Sequence, residues 1–183
     1  MLVVPLFFAN RIIAYLWKMA KYQCGKCDEW HEDWPAYAFN SPDYYYWLSD
    51  EEKKKSELNE DFCVVREKDA THYFIRAVLF QPVQDYCETV DYGVWTSLSE
   101  QSFQDYRENF KKPAHQVQYF GWLANQMPDY GNDDIKLTVV TNQEGERPAV
   151  FPHQSQDHPL VHDFYRGISF VEAERRIAKM LGK

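Results

Sequence analysis

Asp61 to Phe80 reads DFCVVREKDATHYFIRAVLF. Its two ends, Asp61 to Arg66 and His72 to Phe80, are rich in β-branched and aromatic residues, the composition of strands. Glu67-Lys-Asp-Ala-Thr71 between them is short and polar, so the stretch predicts a β-hairpin. Pro82 ends the second strand. Val90 to Leu98 (VDYGVWTSL) reads as a third, with Gly93 leaving room for close backbone approach. Ser99 then caps a helix expected over 99–111, whose apolar side is Phe103, Tyr106 and Phe110. Gln118 to Leu123 and Ile135 to Thr141 read as two more strands, split by the Met127-Pro-Asp-Tyr-Gly-Asn132 loop. Ala149 to Phe151 reads as a short edge strand.

Further out, Asp157-His158-Pro159 opens a helix over 158–166, with Asp157 as N-cap, Pro159 in the first turn and Gly167 as the stop. Ser169-Phe-Val-Glu172 is a capping box for a last helix over 169–181, whose stripe is Phe170, Ala173, Ile177 and Met180/Leu181. On the N-terminal side, Ser49-Asp-Glu-Glu52 is another capping box, for a short helix over 50–54. Residues 22–42 are loop-rich and closed by Pro35 and Pro42. Short-looped strands with helices between and after them predict one α+β domain over residues 20–183. Its sheet is antiparallel-rich with helices packed on one face, behind a loop-rich Cys/His N-terminal segment.

Composition narrows the function classes. The formal charge is −8, with 28 acids against 20 bases. That argues against general nucleic-acid binding, which needs Lys and Arg to neutralise phosphates. Aromatics make up 17% of the 183 residues, which suits a dense core, a cleft or an interface. Residues 1–18 are apolar but broken by Pro5 and Arg11, too short to span a membrane and lacking the pattern of a secretory signal. Two readings stand for them: an upstream start with Met19 as the true one, or a weak membrane-contacting helix. No membrane is expected for residues 20–183, and the expected location is the cytoplasm.

Cys24-Gly-Lys-Cys27-Asp-Glu-Trp-His31 places two thiols and an imidazole at metal-ligand spacing. One reading is a structural zinc knuckle on Cys24, Cys27 and His31. The other is two reduced cysteines and a cap-forming histidine in an ordinary turn. A closed site needs a fourth ligand, for which Cys63 and His158 are the candidates and His153 a weaker one. Cys63 in an apolar strand also reads as a small hydrophobe. Thiol redox chemistry at Cys24 and Cys27 ranks below metal binding, because a redox pair of the thioredoxin kind follows a strand and opens a helix, whereas here Lys21-Tyr22-Gln23 precedes the pair and acidic, Trp-rich, Pro-ended sequence follows.

Other residues invite catalytic readings. Asp157 and His158 could form an acid/base pair, or simply cap a helix. His162 could share the His158 face as an i, i+4 ligand pair, but the glutamate of a metalloprotease helix is missing. Arg76 in an apolar strand is either an anion-binding group in a cleft or a structural ion pair with Asp61 or Asp91. Trp95 and Trp122 read as core. Cys87 lies among acids that disfavour a thiolate. No phosphate-binding glycine loop and no Gly-x-Ser-x-Gly elbow is present.

In order along the chain, Cys24-x-x-Cys27-x-x-x-His31, Pro42 followed by aromatics, Asp61-Phe-Cys63, Phe74-Ile-Arg76 and Pro82 resemble one bacterial family. Gly93-Val-Trp95, Gly121-Trp-Leu123, Asp157-His-Pro-Leu160 and Gly167 continue the likeness. The family is the domain of unknown function 2199, and the resemblance spans about residues 22–181. After the strand arginine the family tends to have glycine, where this chain has Ala77. The resemblance implies positions that matter but no activity. Three function classes follow: a non-catalytic binding or interaction protein, with an unknown protein or small-molecule partner and a small zinc site; a small hydrolase or lyase using Asp157, His158 and Arg76 in a cleft; and a thiol redox protein using Cys24 and Cys27.

Overall fold

The computed structural model describes residues 22–23, 30–31, 34–86, 89–110, 112, 114–131, 134–141 and 146–182. The chain divides into two compact units, residues 1–35 with 174–183, and residues 36–173. In the first, strand β1 (Tyr22–Gln23) pairs antiparallel with β2 (Trp30–His31), Tyr22 opposite His31. Residues 1–18 and the thiols of Cys24, Cys27 and Cys87 lie outside the described residues, as does the His31 side chain.

The second unit is built on a mixed, sheet-rich core. Its strands are β3 (Tyr37–Ala38), β4 (Glu57–Leu58), β5 (Phe62–Arg66), β6 (Thr71–Pro82), β7 (Thr89–Leu98), β8 (Gln118–Leu123), β9 (Lys136–Val140) and β10 (Ala149–Pro152). Its helices are α1 (Asp43–Tyr46), α2 (Asp50–Lys55), α3 (Glu100–Glu108) and α4 (Pro159–Arg166), and α5 spans Phe170–Met180. The expected hairpin is β5–β6, with Cys63 opposite Phe74 and Arg66 opposite Thr71. β7 pairs with β6 over its full length, from Tyr73–Leu98 to Pro82–Thr89.

The sheet is antiparallel-rich, as expected, but it closes. β6, β7, β8, β9 and β10 form a five-stranded barrel, with β3, β4 and β5 as additions to it. The joining strand is β10. It runs antiparallel to β9 and pairs in parallel with β6 at Ala149–Val78. Ala149 to Pro152 is therefore not an edge strand but the seam that closes the ring, and closure removes the unpaired edges of β6 and β9.

Register and burial identify the interior. Ile75, Ala77, Leu79 and Gln81 of β6 lie opposite Thr96, Val94, Tyr92 and Val90 of β7. All are essentially excluded from solvent, as are Leu137, Val139 and Val150. Alternation of this kind is the pleat expressed as a core. The helices do not share one face. Two of them, α3 and α4, meet the inward β6 row at its two ends: Tyr73 stacks against Phe103 of α3 at 5.1 Å, and Gln81 Nε2 donates to the Asp163 carbonyl of α4 at 2.8 Å.

Local chemistry sets the helix ends. Ser49 and Glu52 form the expected capping box, and the Ser99 hydroxyl accepts from Ser102 N–H. At α4 the cap is His158, not Asp157. The His158 Nδ1 accepts from Leu160 N–H at 3.1 Å, while the Asp157 carboxylate points out to His162. Gly167 ends α4 at φ +79°, as the stop requires. On α5, Ala173 and Ile177 are buried, but Phe170 is 38% exposed, its ring against Tyr86.

Candidate functional site

The outer face of the barrel carries a cleft, and the segment 41–47 builds one wall of it. Asn125, itself buried, holds that wall in place. Its Oδ1 accepts from Trp95 N–H at 2.7 Å. Its Nδ2 donates to the Ser41 carbonyl at 2.9 Å and to Asp43 Oδ1 at 3.1 Å. Asp43 Oδ2 accepts from Gln126 N–H at 2.6 Å, and Asp43 N–H donates to the Ala124 carbonyl. One amide and one carboxylate thus fasten α1 to β7 and to the chain after β8. Such charge-assisted bonds to backbone N–H groups are the stronger kind.

α1 buries none of its residues. The Tyr44 hydroxyl donates to Glu67 Oε2 at 2.9 Å, and its ring lies 4.7 Å from His72 and 6.3 Å from Phe74. Tyr46 and Trp47 stand outward at 65% and 80% exposure, edge to face at 5.1 Å. Apolar rings held in water this way contribute nothing to the core, so their selection is not explained by folding.

The opposite wall comes from residues 123–131, from Asp134 and Ile135, and from the start of α4. The Tyr130 hydroxyl donates to Asp163 Oδ2 at 2.6 Å, and its ring lies 6.3 Å from that of His158. His158 is 94% buried. Because its Nδ1 lone pair caps α4, the neutral ring carries its proton on Nε2, an assignment made from the bonding pattern. The cleft encloses about 740 Å³, in the range of ligand sites, with Phe74 and Ser97 in its floor. Asp43 and Asp134 line it, and among the described residues no Lys or Arg does.

The floor continues along the sheet. Phe74 is opposite Ser97, Ser97 opposite Trp122, and Trp122 opposite Lys136. These four share one outer face of adjacent strands. Trp122 is 36% exposed and so is not the core residue expected of it. Its outward register leaves one side of the ring in water, with Lys136 Nζ 5.6 Å from its centroid. Phe120, 50% exposed, stands 5.5 Å from it. Trp95, by contrast, is fully buried with Cys63, Val65 and Phe74.

Of the residues expected to act together, only His158 lines the cleft. Asp157 does not orient it. The Asp157 carboxylate is fully exposed and bonds His162 Nε2 at 2.8 Å. Arg76 forms neither of the expected ion pairs. Its Nη2 donates to the Phe39 carbonyl and its Nη1 to the Glu60 carbonyl, while its guanidinium lies 5.5 Å from the Trp95 ring. Asp61 is taken by Arg147 Nε at 2.8 Å, and Asp91 Oδ1 accepts from the Thr89 hydroxyl. Burial first, and then the neighbouring Arg147, pull the Arg76 pKa below its ordinary value. Carbonyl dipoles and a ring face replace the carboxylate because β6 register turns Arg76 toward Phe39 and Trp95.

Of the metal-ligand candidates, Cys63 is fully buried in a strand, and its thiol is pushed up to about 12 by burial and then by the charge of Glu57. Without a metal it is a neutral thiol at physiological pH. His153 bonds the Thr138 hydroxyl at 3.1 Å and sits against Phe120. Among the described residues, no three His, Cys, Asp or Glu side chains gather to hold a metal ion.

The aromatic wall of α1, Asn125 and Asp134 were not singled out from sequence as site residues. Pro42-Asp-Tyr-Tyr-Tyr-Trp47 was the available signal, a proline and an acid opening a short turn of rings.

Fold and site define a mixed α and β protein with a sheet-rich core and an aromatic, acid-flanked surface cleft. No helix among the described residues is long and apolar enough to cross a membrane. The chain matches the family described as "uncharacterized protein conserved in bacteria (DUF2199)" over residues 23–168, and it belongs to that family. No curated protein and no solved structure matches it.

Proposed function

We propose that this protein is a cytoplasmic, non-catalytic binding protein whose cleft beside α1 receives a partner. One observation carries the reading. Tyr46 and Trp47 are held 65% and 80% exposed at the mouth of the cleft, on a turn fastened by Asn125 and Asp43. Tyr and Trp presented on a fixed scaffold are the side chains that carry binding energy at interfaces. The polar groups around the cleft are committed to structure: Asn125 to three bonds, the Tyr130 hydroxyl to Asp163, His158 Nδ1 to the α4 cap. A general base needs a lone pair to offer, and this one is in use.

The test is a comparison in a host bacterium between the wild-type chain and Tyr46→Ala/Trp47→Ala. Both are tagged at their own locus and purified, and what they carry is quantified by mass spectrometry. A species bound to wild type and lost from an equally stable double variant supports the reading. Equal retention by both, or measurable turnover abolished by His158→Ala alone, contradicts it.

The zinc site belongs to the same proposal. Cys24, Cys27 and His31 bind one structural Zn²⁺. The ligand spacing supports this, as does the antiparallel pairing of Tyr22 with His31, which sets the backbone leading into the motif beside its last residue. Elemental analysis after zinc-replete expression should find close to one zinc per chain. Less than about 0.2 would end the idea, given the affinity of structural zinc sites.

A further inference from the structure

We infer that the cleft takes a basic side chain, arginine or lysine, from an extended segment of a partner protein. The inference rests on the binding reading above and gives the occupant its chemistry. Three observations carry it.

The first is charge. Asp43 and Asp134 line the cleft, no Lys or Arg among the described residues does, and the chain as a whole carries −8. An anionic group would enter unpaired, whereas a cation meets complementary charge. The second is the rim. The exposed Tyr46 and Trp47 rings offer π faces, to which an ammonium or guanidinium group is drawn. Asp43 fixes the turn through Asn125 and Gln126 N–H, so the rim is in place before anything binds.

The third is extent. The outer row Phe74, Ser97, Trp122, Lys136 leaves the cleft and crosses adjacent strands. At about 4.8 Å per strand, Phe74 to Trp122 is roughly 10 Å, the reach of about three residues of extended chain. A small cation in the cleft leaves Trp122 and Phe120 uncovered, and an extended segment covers both. Lys136, over the Trp122 ring, marks where the row turns positive, so the basic residue belongs at the cleft end.

The test is selection on the full-length protein from a displayed library of heptapeptides that are random except at the centre. The centre is Arg, Lys, citrulline or Glu. Arg and Lys peptides should be enriched at least tenfold over the citrulline and Glu sets. The preference should be lost with Asp134→Asn, whose exposed carboxylate makes no hydrogen bond or ion pair among the described residues, and with Tyr46→Ala/Trp47→Ala. Enrichment without a basic preference overturns the inference and leaves the cleft a binding site. So does binding of spermidine at the cleft with no peptide enriched. If nothing is selected and the double variant also retains every partner in the host, inference and binding reading fall together.

Discussion

Cys63 shows how burial decides the chemistry of a single residue. In sequence it was a candidate fourth zinc ligand or a small hydrophobe, and the fold assigns it to the apolar cluster of Val65, Phe74 and Trp95. With its pKa at about 12, its thiolate is scarce at pH 8. Iodoacetamide at pH 8 should therefore leave the Cys63 peptide unmodified in native protein and modify it in urea, which peptide mapping reads directly. Modification at equal rates in both states would contradict its burial. Gly121 makes a second case at this scale. A Cβ there would stand 2.6 Å from the Ser97 carbonyl oxygen and 2.6 Å from Thr96 Oγ1. At Gly93 the nearest atom would be Ala38 Cβ, at 3.3 Å, with Ala38 Cα at 3.5 Å. Overpacking against β7 backbone costs about 1–3 kcal/mol. Gly121→Ala should lower the thermal midpoint by several degrees and Gly93→Ala by clearly less. Equal effects would mean that β7 and β8 approach less closely than described. Gly93 was the glycine whose spacing suggested close approach, yet the tighter contact falls at Gly121, because strand neighbours cannot be read from one strand alone.

Elements are joined by polar clasps that sequence periodicity does not display. α3 is tied to β8 through Asp105, which accepts from the Tyr119 hydroxyl at 2.7 Å and meets His115 Nε2 at 3.1 Å. The Tyr119 bond first, and then His115 and Asn109, hold the Asp105 carboxyl below the usual carboxylate range against the opposing effect of burial. A folded pKa below the unfolded value means the unfolded chain binds more protons in acid. The stabilisation is therefore complete above about pH 4 and disappears as pH falls through the folded pKa. Urea unfolding of wild type and Tyr119→Phe should show a gap in midpoint at pH 6 that narrows below pH 4. A gap independent of pH would place the Tyr119 contribution in packing instead. The helices over 100–108, 159–166 and 170–180 were legible because capping and apolar spacing are local signals. The four-residue α1 was not, since Asp43–Tyr46 is held by Asn125, 82 residues away, rather than by its own propensity.

For the whole molecule, the strands were legible and their closure was not. β-branched and aromatic runs mark β5, β6 and β7, but the short β10 reads as an edge until its partner is known. That partner is Val78 of β6, a pairing between distant segments. The candidate site was hidden for a related reason. With 13 Tyr, 12 Phe and 6 Trp in the chain, a cluster of exposed rings looks like core until burial is measured. The residues that did stand out, Arg76 and Asp157, spend their hydrogen bonds on the Phe39 and Glu60 carbonyls and on His162 rather than in the cleft. The account therefore rests on the cleft as a place of contact. Its most direct measurement is in vivo photo-crosslinking in a host bacterium, with p-benzoylphenylalanine at position 47 or, as control, at Val171, which is 73% exposed on α5. The account predicts a discrete adduct from position 47 that is absent from position 171 and is lost when Tyr46→Ala and Asp134→Asn are added. Matching adduct patterns from the two positions, or none from position 47, would contradict it.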